Sequence, residues 1–389
     1  MRFSLLARLA LLAGLGQVPA ACGQTTTNTH SSSPHRMQQY QTEKFKLSAG
    51  PCAADGYFVM IQSASFINSQ GGSFPVPSGH VLRGNWGASG TAWAVGDEMQ
   101  AVPERLTMLW FSYAEDKFYK GDFALPQEKL YQLLQQGSWD IDKNKQVTYD
   151  EFVVCVLPKG GVAVWLSGGN QVLVGRFQAQ ETVPSAADYQ RYYGDASRAE
   201  FVQMRRGQMP AAVQTEIKAG TMSTKKWDEY LKTYPWQVAF NVPVTFYRSY
   251  SMQYVSAEYT NFPLTRDDAS YNQAILQPSP KPVPSGCFLY LQAEHGAHHL
   301  LQIRAFDEAE TMAAFQALHA ASPASPSPCW SAWTSPCKRP RSRSKTRRRK
   351  SRWPKASSRF FCNRASAPKL AAVFPESGST LAAAAFRSF

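Results

Sequence analysis

Nowhere in its 389 residues does this chain hold an uninterrupted apolar run of the roughly 20 residues that a membrane-spanning helix needs. It also lacks a Walker loop and a dinucleotide fingerprint, which removes the usual nucleotide-binding devices. No Gly-x-Ser-x-Gly elbow is present; the nearest stretch, "GASG" at Gly87 to Gly90, has the wrong spacing for a hydrolase nucleophile. The seven cysteines include no metal-knuckle pair, so a zinc module is excluded. No cofactor is expected.

Acid is the other scarcity, and it is local. From Ser322 onward 15 Lys and Arg face one acid, Glu376. Taking these from 41 basic and 28 acidic residues leaves 26 and 27, so the body is close to neutral despite the overall +13. The basic balance therefore says nothing about what the body binds.

The first residues, "MRFSLLARLALLAGLGQVPAACGQ", carry Arg2 and Arg8, a short apolar stretch and small residues before Cys22. That order predicts a secretory signal over residues 1–21. Ala20 and Ala21 before Cys22 resemble a bacterial lipobox, with Pro19 standing where Leu is usual, so Cys22 is the expected lipidation site; ordinary cleavage beside it is the alternative. Gly23 is not the Asp of inner-membrane retention, which points a lipidated chain to the outer membrane, facing the periplasm. A Ser- and Thr-rich tether comes next, over 22–45. Setting aside Cys22 and the tail's Cys329, Cys337 and Cys362 leaves Cys52, Cys155 and Cys287, from which a Cys52–Cys287 disulfide is expected, because Cys155 sits in an apolar strand.

"DIDKNKQVTYDE" places oxygen-bearing residues at calcium-loop positions: Asp140, Asp142, Asn144, Gln146, Thr148 and Glu151. Lys145 occupies the sixth position, where a sharp turn favours Gly. An entering helix is predicted over Leu125 to Gly137, yet Glu151 leads into "FVVCVL", β-branched and stopped by Pro158. A helix-to-strand loop without calcium is expected.

Apolar runs rich in Val, Tyr, Phe and Trp recur from "GYFVMIQSASF" to "HLLQIRAF", often separated by short turns. Helical periodicity appears at Leu125 to Gly137, Ser185 to about Met204, "STKKWDEYLKTY" and "DEAETMAAFQALHA". Strands outnumber helices, which predicts an α+β fold: one domain over 46–320, an antiparallel-rich β body with a few peripheral helices, and a disordered basic C-terminal tail over 321–389.

"GNWGASG", "WFSYAEDKFYKGDFALPQEKLYQLLQQG", "PKGGVAVWLSGGNQVLVGRFQA" and "SGCFLYLQAEHGAHHLLQIRAFDEAETMAAFQAL" carry a resemblance to the bacterial lipoproteins grouped as domain of unknown function 2931. It covers Gly56 to Leu318 and implies an envelope lipoprotein; it brings no catalytic residues. The Ser-, Pro- and Arg-rich tail begins where it stops, and reads as a basic arm, a solvated linker or the out-of-frame product of a GC-rich gene. No nucleic-acid partner is expected of an exported chain.

Few side chains suggest chemistry. His295, His298 and His299 cluster in sequence, but neighbours on a strand point to opposite faces, so a turn and strand edge is expected rather than a metal site. Glu115, Asp116 and Asp122 near a strand end are candidates for an acid pair, or ordinary loop acids. Trp86 and Trp93, beside Gly84, Gly87 and Gly90, form a possible ligand surface, with core packing the alternative. The expectation is a non-enzymatic envelope lipoprotein with a binding or structural role, its partner an unknown envelope protein or component and its membrane contact a lipid anchor. An immunity protein against a periplasm-delivered toxin and a hydrolase with an unrecognised site are the rivals.

Overall fold

A computed structural model describes residues 39–91, 98–140, 142–193, 197–240, 244–262, 277–293, 296–321, 369–372 and 386–388. Cys22, Trp93 and His295 lie outside the described residues.

The fold is the expected strand-rich α+β body. Strands β1 (Lys44–Lys46), β2 (Ser48–Ala53), β3 (Val59–Asn68), β4 (Ser73–Pro75), β5 (Val81–Leu82), β6 (Met99–Ala101), β7 (Pro103–Ser112) and β8 (Lys117–Ala124) precede the amphipathic helix α2 (Gln127–Gln136); a short α1 (Gln39–Thr42) opens the chain. Then come β9 (Ser138–Asp140), β10 (Lys145–Val147), β11 (Glu151–Val156), β12 (Gly161–Ser167), β13 (Gln171–Gln178) and β14 (Gln180–Thr182). Four helices come after them: α3 (Ala186–Tyr193), α4 (Arg198–Gly207), α5 (Ala211–Ala219) and α6 (Lys225–Tyr230). The remainder is β15 (Thr233–Phe240), β16 (Val244–Tyr254), β17 (Tyr259–Phe262), β18 (Ser279–Pro282), β19 (Pro284–Ala293), β20 (His298–Ile303), α7 (Glu308–Ala321), β21 (Lys369–Ala372) and β22 (Phe386–Ser388).

Two large sheets organise these strands. One runs β2-β11-β12-β13-β17-β16-β19-β20-β22 and the other β14-β8-β7-β3-β4, with β5 beside β3. The unbroken apolar runs of β11 and β12 reflect their position between two cores. Phe152, Val154 and Val156, with Val162, Val164 and Leu166, face a core shared with Ile61, Phe66, Leu106 and Trp110 of the six-stranded sheet and with Leu130 and Leu134 of α2. Val153, Cys155, Ala163 and Trp165 face a second core holding Val202, Val213, Trp227, Met312 and Phe315 of the helices. A strand wet on one face would have alternated. Along β8 the alternation is partial: Tyr119, Gly121 and Phe123 are buried toward one face while Lys120, Asp122 and Ala124 are exposed on the other, and Phe118, at the start of that second face, is buried in the helix-covered core.

Pairing is mostly antiparallel. The β2–β11 pair is parallel, its register matching Ser48 to Glu151 and Cys52 to Cys155. A parallel neighbour needs a long crossover, and β3 to β10 with α2 supply it. Pro51 is tolerated because β2 is the sheet's terminal strand.

The expected Cys52–Cys287 disulfide is corrected: the structure shows all three cysteines buried and unbridged, with Cys52 lying across from Cys155 rather than Cys287. Cys287 instead pairs in register with Met252 and Ile303, several strands away. Two short strands are described within the basic tail, β21 beside β15 and β22 beside β20. Both are open sheet edges whose N–H and C=O groups any extended segment satisfies.

The "PKGG" turn after β11 depends on one buried acid. Lys159 and Gly160 both take positive φ, 56° and 77°, so the turn is strained at a residue with a Cβ. Glu115, 2% exposed, compensates: its two carboxylate oxygens accept the Lys159 amide at 3.1 and 3.0 Å, the Tyr119 hydroxyl at 3.0 Å and the Ser112 hydroxyl at 3.1 Å. Burial, and then the Glu115 charge, push the Tyr119 phenol well above its ordinary value, so it stays a donor. Removing the carboxylate leaves buried donors unpaired and the turn unsupported. Glu115→Ala is expected to destabilise the protein by about 2–4 kcal/mol. Asp122→Ala, which breaks an exposed pair with Arg105, is expected to leave the denaturation midpoint in place. Urea unfolding of both variants, monitored by tryptophan fluorescence, checks the contrast.

Candidate functional site

Trp86 sits in the loop after β5 and is half-buried rather than displayed. Its indole N–H donates to the Val255 carbonyl at 2.9 Å, and its ring meets Trp165 edge-on at 4.8 Å. Trp165 repeats the motif one residue along, donating to the Ser256 carbonyl at 3.1 Å. Gln171 completes the clasp, its amide donating to Gly87 and Ala257 carbonyls, both at 2.7 Å. On the other side the Asp55 carboxylate accepts the Asn85 and Trp86 amides at 2.8 and 3.3 Å. The Trp86–Gly87 loop is thus fastened to the turn between β16 and β17. In that turn Ala257 takes φ 65° and Glu258 accepts from the Leu173 amide and the Ser256 hydroxyl, each at 3.0 Å. Burial pushes the Glu258 carboxyl up from its ordinary value, against those two donors.

The acids do not form a pair. Glu115 belongs to the buried turn, Asp116 binds the Arg198 guanidinium at 2.6 Å and Asp122 binds Arg105. His298 and His299 are consecutive on β20, opposite Gln292 and Leu291; the His298 ring stacks on Tyr247 at 3.9 Å. No group of three or more His, Cys, Asp or Glu side chains among the described residues converges as a metal set.

In the calcium-like segment the six candidate ligands diverge. Asp140 ends β9 and accepts the Asp142 and Lys143 amides at 3.1 and 2.9 Å, with the Lys143 ammonium at 2.7 Å. That ammonium holds the Asp140 carboxyl below its ordinary value. Positive φ falls on Asn144, while Lys145 begins β10. Gln146 and Thr148 donate to the Gln136 and Leu134 carbonyls of α2, and Glu151 accepts from Ser89 at 2.5 Å. The segment is a hairpin that closes α2 against the sheet.

A cleft of about 520 Å³ lies elsewhere, on the outer face of the six-stranded sheet. Its floor is Ser63 of β3, Thr107 and Leu109 of β7, and Lys120 and Asp122 of β8. Its wall is the segment from Thr182 to Asp188, where Val183 is 88% exposed. Ser185 accepts the Asp188 amide at 3.1 Å and donates to its carboxylate at 2.8 Å, holding the wall at the start of α3. No motif marks this surface in the sequence, although Asp122 stands among the candidate acids. Its one signal in the sequence was the exposed side of the β7–β8 alternation beside an apolar valine in a polar connection.

The chain belongs to the family described as protein of unknown function (DUF2931), whose model matches residues 25–225. No curated protein and no solved structure matches the chain. The matched span begins before and ends before the resemblance over Gly56 to Leu318. It contains the cleft and the Trp86–Gly87 loop, but not the β16–β17 turn to which that loop is fastened.

Gly87 is the close-approach point of the clasp. It has φ 71°, and a Cβ there would come within 1.9 Å of the Ala257 Cβ. Gly87→Ala is expected to cost about 2–4 kcal/mol through strain and overpacking, while Gly90→Ala, whose added methyl meets only the Asn85 amide at 3.8 Å, is expected to be near neutral. Thermal denaturation of the pair measures the difference. For the hairpin, calorimetric titration with calcium is expected to give no one-to-one micromolar site, and Asp140→Ala to leave the trace unchanged.

Proposed function

We propose that this chain is a non-enzymatic cell-envelope lipoprotein, anchored through Cys22 to the outer membrane on its periplasmic side, which acts by holding a protein or another envelope component. The observation that carries the binding part is the cleft on the six-stranded sheet. Its polar side chains are largely committed to holding structure: Asp122 to Arg105, and Ser185 to Asp188. The surface left to a partner is hydroxyl groups, the Lys120 stem and ammonium, and an apolar Val183. Such a mixture suits adhesion better than bond-breaking, which needs a positioned nucleophile and base. The anchor part is supported by the basic-then-apolar start, the small residues before Cys22 and the Ser- and Thr-rich stretch after it. Among the described residues no helix is long and apolar enough to cross a membrane.

Two measurements test the two parts. Metabolic palmitate labelling is expected to mark the wild-type chain and not Cys22→Ala; equal absence of label in both removes the anchor. A photo-crosslinking amino acid placed at Val183 is expected to trap a discrete adduct in intact cells, with none from Met204, which is exposed on α4. The same pattern of adducts from both positions would remove the cleft as the binding surface.

A further inference from the structure

We infer that Cys52 and Cys155 form a disulfide that staples β2 to β11. The register of the parallel pair sets these two residues directly across from one another. Neighbouring strands lie roughly 4.8 Å apart, inside the range of Cα separations of about 4.4–6.8 Å that a disulfide spans. Both side chains point the same way, because both belong to the core that holds Trp165 and the helices. They touch already: the two thiols share a hydrogen bond, and the Gly87 amide donates to the Cys155 sulfur. Cys287 sits in the same core but on β19, where its thiol takes a hydrogen bond from the Ile303 amide.

Their burial decides when the bond forms. Both residues are at most 1% exposed, and burial pushes the Cys155 thiol well above its ordinary value, so the folded protein leaves neither sulfur within reach of an oxidant. Oxidation therefore belongs to the folding chain, before β2 docks. One thiolate attacks a sulfur of a disulfide oxidant, a glutathione-type or protein disulfide. This forms a mixed disulfide and releases one thiol. The second cysteine's thiolate then attacks the protein sulfur of the mixed disulfide and expels the second thiol. Two protein thiols are oxidised, the oxidant's disulfide is reduced to two thiols, and the two protons leave with them. The bridge closes the chain segment that carries β3 to β10 and α2, joining two neighbouring strands of the nine-stranded sheet across it.

The inference stands on strand register and holds whether or not Cys22 carries a lipid. The test uses the full-length chain, reduced and unfolded, then refolded in a mixture of reduced and oxidised glutathione and digested with trypsin without reduction. Cys52 and Cys155 fall on separate peptides, 47–83 and 146–159. The expected product is these two joined, lighter by two hydrogens than their sum. Oxidised glutathione added to chain that is already folded and reduced is expected to join them at least about ten-fold more slowly. The oxidised form is expected to melt at a higher temperature than the reduced form, a shift abolished equally by Cys52→Ser and Cys155→Ser and kept by Cys287→Ser. Should a serine variant fail to fold, the wild-type peptide map decides alone. Peptide 47–83 joined to the Cys287 peptide, or 47–83 and 146–159 both recovered with free thiols after refolding, overturns the inference.

Discussion

Burying β11 and β12 on both faces is the constraint on which the rest of this structure depends. Two strands with apolar side chains on each side must be covered twice, and this protein covers them with different materials. One side receives a second sheet, whose pleat presents Phe66, Leu106 and Trp110 inward and polar side chains outward. The other receives helices, which bring large residues such as Trp227 and Phe315 down onto Trp165 and its neighbours. Sheet-on-sheet packing is about 10 Å deep and needs similar strand directions, and all of its partner strands except β14 come from the stretch β3 to β8. Helices tolerate more variety and come from the segments after β14 and after β20.

A body closed in this way must satisfy every polar group that it traps, and the sites where it does so fix the connections. Glu115 answers the amide of a positive-φ lysine. Asp55 holds two amides of the Trp86 loop, and Gln171 bridges two carbonyls that face one another across the clasp. Each group trades hydration for fixed donors or acceptors, which is favourable only where the geometry is complete. This explains why side chains that look like chemistry in the sequence are structural. An acid beside a strand end meets a turn, and a tryptophan between glycines meets another tryptophan, because the chain must tie its loops somewhere.

The strong strands and three helices were legible in the sequence because each reports a single local rule. "EFVVCVL" and "VAVWLSG" are runs that only doubly buried strands sustain, and α2 combines Pro126 at its start with buried Leu130 and Leu134 on one face. The features that escaped were decided by tertiary context. "SAGPCA" has no strand propensity, yet β2 forms because a terminal strand tolerates Pro51. "KFYKGDFA" is not among the apolar runs that mark strands in the sequence, and it becomes one by pairing along β7. The helical stretch from Ser185 to Met204 breaks into α3 and α4, with Ser197 capping the second through the Glu200 amide. The cysteine pairing escaped for the same reason: Cys52 and Cys155 are far apart in sequence, and only the parallel register brings them together. The cleft was illegible because its floor comes from three strands and its wall from a fourth segment.

That division bears on where a partner can approach under the binding reading proposed above. The nine-stranded sheet commits both faces of β11 and β12 to its own cores, so those strands have no surface to offer. The six-stranded sheet commits one face throughout and the other only at one end, where Phe111 and Phe118 join the helix-covered core; the rest of that outer face carries Ser63 and Ser65, Thr107 and Leu109, Lys120 and Asp122. Short hydroxyl side chains on a sheet leave a flat, readily desolvated surface. The β14 edge beside it has unpaired backbone groups on one side by virtue of its terminal place in the sheet. Val183 comes directly after β14 and projects apolar area that no core claims. Edge, floor and apolar anchor therefore lie together on the part of the fold that does not have to hold the rest in place, so a partner could engage them without disturbing either core.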